Sequence, residues 1–147
     1  MRGMTLIVKR ITQLMAPSIF LLGIYVILHG HLTPGGGFAG GVLISGCFVL
    51  LVLAYGSTEV KSEARKWHAS LWESVGITLF WFLAILGLIQ GTYFFYNVIA
   101  KVNPGQPGHL FSAGIIPLCN IAIGVEVAAA LFSIFITLAI VKLGEKL

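Results

Sequence analysis

Glu126 is the sole charged residue between Val102 and Val141. An ionised carboxylate at membrane depth costs on the order of several kcal/mol unless it is paired or wet. In that setting it reads as a proton or sodium site, or as the partner of a basic residue on a neighbouring subunit. The alternative is a protonated or hydrogen-bonded residue at a helix contact. No Lys or Arg of this chain is placed by sequence to pair with it, so a charge partner is expected in another subunit. His29, His31 and His109 fall in two segments expected at one end of the molecule. Three histidines can hold a metal, but loop histidines are more often solvated or hydrogen-bonded, and no metal site is expected. No two histidines face each other at mid-membrane, so haem ligation is not expected either. There is no nucleophile with a base beside it and no paired carboxylates. The expectation is no catalytic residue, and no enzyme in this chain alone.

A second feature is glycine-rich. Gly30-His31-Leu32-Thr33-Pro34-Gly35-Gly36-Gly37-Phe38-Ala39-Gly40-Gly41 holds six glycines in twelve residues. It lacks the GxxxxGK[ST] pattern and any nearby basic residue, so it is not a phosphate cradle. Adjacent glycines allow positive φ and close backbone approach. Two readings stay open: a tight hairpin that permits dense helix packing, or a backbone whose carbonyls or amides line an ion or water path. Irregular backbone at membrane depth persists only where protein or water covers it.

The elements that position these residues follow from composition. The chain has 147 residues, of which 58% are apolar and 10% charged, against about 25% charged in ordinary soluble domains. There is no Asp, and the mean hydropathy is +0.99. That excludes a soluble enzyme, a disordered tail and a nucleic-acid binder. The net charge of +4 fits basic residues kept at the ends of membrane helices. Cys47 and Cys119 lie far apart in apolar runs, without a CxxC, and read as small core residues.

Charges mark the membrane borders. No charged residue occurs across the 48 positions from Ile11 to Thr58, and a spanning helix needs about 20. Two helices are therefore expected, over about 11–28 and 38–55, joined by the glycine-rich turn. Pro17 is tolerated or gives a mild kink. Residues 57–73 are the polar part of the chain, with Glu59, Lys61, Glu63, Arg65, Lys66, His68 and Glu73, and read as a loop or short interfacial helix, with Trp67 and Trp72 at headgroup depth. A third helix is expected over about 75–96, ending in the aromatic run Tyr93-Phe94-Phe95-Tyr96. A fourth is expected over about 112–141, with a break or late start at Pro117. A signal peptide is the competing reading of the first helix, but no small-x-small cleavage site follows it. Small residues at four-residue spacing, among them Gly87 with Gly91, Gly37 with Gly41, and Gly124 with Ala128, are expected at close helix contacts.

The fold class expected is thus all-α integral membrane, a single membrane domain over 1–147 with four spans. The N-terminus, central loop and C-terminus hold eight basic residues, and the other two loops hold only Lys101. The positive-inside rule then places both termini in the cytoplasm.

The stretch Gly-His-x-x-Pro-Gly-Gly-Gly-Phe-x-Gly-Gly, here Gly30, His31, Pro34, Gly35, Gly36, Gly37, Phe38, Gly40 and Gly41, resembles the hallmark of the MnhB (MrpB) family. The segment from Asn120 to Val125 resembles that family's last helix. The resemblance implies a four-helix accessory subunit of a multi-subunit Mrp-type cation/proton antiporter module in a prokaryotic plasma membrane. The module moves Na+ and H+ in opposite directions. It also implies other membrane subunits and the lipid bilayer as partners, and no nucleic acid. Similar subunits occur in membrane-bound hydrogenases and sulfur-reducing complexes. The resemblance therefore implies no cofactor in this chain and allows iron–sulfur clusters or a nickel-iron site in partner subunits. Ala122 stands where the antiporter pattern often has an acidic residue, which tilts the resemblance towards a hydrogenase-type relative. Glu126 and His31 are the ion-path candidates. The competing expectations are a self-contained homo-oligomeric transporter built around Glu126, and a scaffold subunit with no ion path.

Overall fold

The computed structural model describes residues 4–56, 62–90, 93–102, 105–106, 108–110 and 112–144, with side chains described except at 62–68 and 140–144. Five helices follow in order: α1 Leu6–Leu28, α2 Gly36–Tyr55, α3 Ser62–Ile89, α4 Val98–Val102 and α5 Ile116–Gly144. No strand occurs among the described residues.

Four helices carry an apolar span, over Leu6–Leu28, Gly36–Tyr55, Ala69–Ile89 and Ile116–Ala139. At a rise of about 1.5 Å per residue each is long enough for the roughly 30 Å hydrocarbon layer. Large apolar side chains point outwards all round, Leu14 being 76% exposed. Water does not tolerate such a surface, whereas lipid or neighbouring membrane helices do.

The helices lie side by side in the order α1, α2, α5, α3. The first two form an antiparallel hairpin, and the Met4 amide donates to the Ala54 carbonyl at its open end (2.9 Å). The last helix packs on α2 with one face and on α3 with another, touching α1 more lightly. Backbone replaces side chain at each crossing. A Cβ on Gly40 would overlap Ile27 of α1, one on Gly41 would sit 2.8 Å from the Gly124 carbonyl, and one on Gly124 would sit 2.5 Å from Ile27 Cδ1. Without a hydrophobic drive between helices in lipid, such close approach supplies the van der Waals contact that holds them.

Helix ends depart from the charge-based expectation. The first helix starts at Leu6, so Lys9 and Arg10 lie inside it. The third starts at Ser62, so the stretch up to residue 73, expected as a loop or a separate short interfacial helix, is from there on the start of the same helix. Ala, Glu, Arg and Lys are good helix formers, so the charged run continues the helix beyond the bilayer. Residues 57–61 lie outside the described residues. The same helix ends at Ile89 rather than at Tyr96. Tyr93–Tyr96 fold back on it: the Phe95 amide donates to the Ala84 carbonyl (3.1 Å), and Phe95 packs its ring on Phe80 (centroids 5.3 Å apart). Phe95 adopts a φ of 59°, rare for a bulky residue. Gly87, expected at a helix–helix contact, instead makes room for this return: a Cβ there would strike the Tyr93 carbonyl and Tyr96. Gly91 lies outside the described residues. The fourth long helix starts at Ile116, four residues later than expected, with Pro117 in its first turn where a missing N–H costs nothing.

Candidate functional site

The glycine-rich hairpin gathers several polar groups at one end of the bundle. His29 ends the first helix, its ring stacked on Tyr25 (4.2 Å) with Nδ1 3.1 Å from the Tyr25 carbonyl. The Leu32 and Thr33 amides donate back to the His29 carbonyl, as does the Thr33 hydroxyl. Gly35 and Gly36 then take φ values of 142° and 74° to launch α2. Other residues resist that conformation, which explains glycine at these two positions.

Three glycines of the hairpin close on Asn120, in the second turn of α5. A Cβ on Gly30 would lie 2.8 Å from Asn120 Nδ2 and would also overlap Gly36. A Cβ on Gly36 would lie 3.6 Å from Asn120 Oδ1, and one on Gly37 would overlap the Asn120 carbonyl. The motif is thus a surface of bare backbone shaped to one polar side chain. Beside it, His31 Nε2 lies 3.4 Å from the His109 carbonyl oxygen, which can only accept, so Nε2 carries the proton in that contact. His31 Nδ1 and Asn120 Nδ2 are both buried and have no hydrogen-bond partner among the described residues. Both flank Gly30, one by sequence and one by contact. A buried polar atom left unpaired costs about 1–3 kcal/mol and calls for an explanation, often functional.

Pro34, Phe38 and the remaining motif glycines have other tasks. Pro34 and Phe38 are exposed, Phe38 by 65%. Gly40 and Gly41 belong to the helix crossings described above.

Glu126 sits elsewhere. It is half-buried and faces α3, where a Cβ on Gly76 would lie 2.6 Å from Glu126 Cβ and 2.8 Å from its amide nitrogen. Six residues separate it from Asn120, about 9 Å along the axis, and the two meet different neighbours. The fold therefore brings His31 to the His109 backbone and Asn120 to the hairpin glycines on either side of His31, while Glu126 meets α3. No ion pair to Glu126 occurs among the described residues. No group of three His, Cys, Asp or Glu able to hold a metal occurs there either.

Asn120 is the residue that sequence reasoning passes over, since in the sequence it stands only as the first member of a family-like segment. A polar side chain in an otherwise apolar membrane helix is the available signal, the same one that singles out Glu126.

Residues 7–133 match the family described as "Domain related to MnhB subunit of Na+/H+ antiporter". The chain belongs to the MnhB family. An uncharacterised protein of Methanocaldococcus jannaschii is 37% identical over 131 residues, 86% of this chain and 49% of that protein. A protein named as putative antiporter subunit mnhB2 of Staphylococcus epidermidis is 29% identical over 110 residues, covering 75% of this chain and 77% of that one. Among solved structures, a chain of the membrane-bound sulfane sulfur reductase, an archaeal respiratory membrane complex, superposes with a TM-score of 0.67 at 33% identity. It covers 89% of this chain and 56% of that one. The chain thus spans about half the length of these two archaeal relatives. With four apolar spans and this family, the MnhB-type chain is a multi-pass protein of the plasma membrane.

Proposed function

We propose that this MnhB-type chain is a non-catalytic membrane subunit of an Mrp-type cation/proton antiporter module, packed against other small membrane subunits. The family match across residues 7–133 carries this reading. Within the module, His31 and Asn120 at the hairpin and Glu126 at the α3 crossing are the groups we assign to the ion route. The two unpaired atoms at the hairpin support the first site. The second rests on the cost of a carboxylate in an apolar helix. The ions are Na+ and H+, by analogy with the relatives' names.

A respiratory setting is the second reading. The reductase complex chain resembles this one over 89% of its length. A Na+/H+ antiporter protein of Bacillus subtilis matches at 46% identity over 57 residues, only 39% of this chain. In the respiratory setting, redox centres in partner subunits drive the ion movement. The deciding measurement is the iron content of the native complex that co-purifies with the tagged chain in mild detergent. Many iron atoms per complex establish the respiratory setting, and a stable multi-subunit complex without iron establishes a dedicated antiporter. Cation/proton exchange by the purified single chain in vesicles would overturn the accessory role and leave a self-contained transporter.

A further inference from the structure

An apolar concavity lies between the α1–α2 hairpin and the α3–α5 pair. It measures 790 Å³, and its walls include Phe20, Phe48 and Phe132, with Gly124 and Ala128 on the α5 side. The wall contributed by α2 runs from Ile44 to Tyr55. Eleven residue steps give a length of about 16 Å, close to half of the roughly 30 Å hydrocarbon layer. The groove is therefore as long as one leaflet is deep.

One end of the groove is polar. Tyr55 and Trp72 line it there. The Lys9 ammonium lies over the Tyr55 ring, 5.6 Å from its centroid. Lys9 has no carboxylate partner among the described residues. Arg10 stands next to it on α1 and donates to Gln13 Oε1 (3.3 Å). Tyr and Trp are the residues that settle at headgroup depth, and a Lys beside them offers a charge to an anion there.

We propose that this groove is a binding site for one anionic phospholipid, an acyl chain lying along Phe48 and Ala128 and the phosphate-bearing headgroup at Lys9. Apolar walls take the chain, the aromatic pair marks the glycerol level, and the ammonium selects negative over zwitterionic headgroups. The proposal needs only that the chain spans a membrane, and it is independent of the ion route.

The chain has three tryptophans, so single-Trp forms of the full-length protein report on single places. Trp72 lines the groove, and Trp81 is 61% exposed on the outside of α3. Each form is reconstituted in phosphatidylcholine vesicles with rising fractions of phosphatidylglycerol brominated on its acyl chains. Half-maximal quenching of Trp72 is expected at a phosphatidylglycerol fraction about fivefold lower than for Trp81, the Boltzmann weight of one basic residue near an anion. Lys9→Gln, a change on the surface, brings the Trp72 curve onto the Trp81 curve. Ala128→Phe, which fills the groove, weakens quenching of Trp72 and leaves Trp81 unchanged. Coincident curves in the parent protein overturn the proposal, as does a preference that survives Lys9→Gln. Quenching of Trp81 without quenching of Trp72 also overturns it, because the groove is then covered by protein, such as a second copy of the chain.

Discussion

Two asparagines close two corners at the same end of the molecule, and the fold treats them in opposite ways. Asn97 opens the short helix α4 and is fully engaged. Its Oδ1 accepts from the Ala100 and Ile115 amides (both 3.1 Å), and its Nδ2 donates to the Ala113 carbonyl (2.9 Å). It ties the return from α3 to the start of α5, and Gly114 at φ 63° lets the backbone pass against it. Asn120 is packed just as closely, by Gly30, Gly36 and Gly37, yet its Nδ2 has no partner among the described residues. Same residue type and same end of the bundle: one corner satisfies its polar atoms and the other leaves them open. Satisfied polar groups fix a fold, whereas open ones lower its stability and are retained where another task needs them. On that contrast the Asn97 corner is assigned to structure, and the Asn120 corner to the ion route proposed above.

The largest expected effect breaks the second corner sterically. Gly37→Leu drives a side chain into the Asn120 carbonyl and Ile123. Overpacking ordinarily costs about 1–3 kcal/mol, and more when backbone is struck. No folded protein should be recovered in mild detergent by size-exclusion chromatography. A normal elution profile would show that the hairpin does not press on α5. Next in size is Asn97→Ala, which strands two amides and a carbonyl. A loss of about 1–3 kcal/mol follows from leaving such groups unpaired, visible as a lower thermal midpoint. Ion exchange by any complex that still assembles should remain normal. If exchange falls while the midpoint holds, the assignment of structure to that corner is wrong.

The contrast also shows what could be read from the residues alone. The first two spans were legible because 48 uncharged positions and a glycine-rich interruption leave little freedom. Helix ends were not, because charge reports where water begins and not where the helix stops. Lys9, Arg10 and the start of α3 at Ser62 are helical on the polar side of that border. Gly87 misleads because a GxxxG spacing does not say whether another helix or the chain's own return will fill the gap. Asn120 offered only the signal of a polar side chain in an apolar helix, because its contacts are with three glycines 83–90 residues earlier, brought to it only by the hairpin.

A smaller effect on stability distinguishes the two seams of α5. Glu126→Gln keeps the shape of the side chain beside Gly76 and removes its charge. The thermal midpoint and co-purification of partner subunits are expected to stay within error, and cation/proton exchange by the assembled complex is expected to fall about tenfold or more. That is about the 1.4 kcal/mol that one lost electrostatic interaction in a route is asked to supply. Unchanged exchange in an intact complex would leave Glu126 a helix-contact residue and move the route wholly to the hairpin.

The smallest effect on stability is the most telling. Asn120→Leu keeps approximate volume and removes the unpaired donor. Replacing an unsatisfied buried polar group by an apolar one of similar shape is neutral or stabilising, so the thermal midpoint should hold or rise. If the hairpin corner serves the ion route, exchange should fall nonetheless, and His31→Leu should lower it by a similar factor. The double variant should lower it no further, because residues acting at one site are non-additive. A fall in stability with Asn120→Leu would mean that the donor is paired in the assembled complex and that this corner is structural after all. Separate, multiplicative losses would place the two residues at different points of the route. Only a stable protein with one shared loss of exchange keeps the asymmetry between Asn97 and Asn120 as a division of labour between holding the fold and moving the ion.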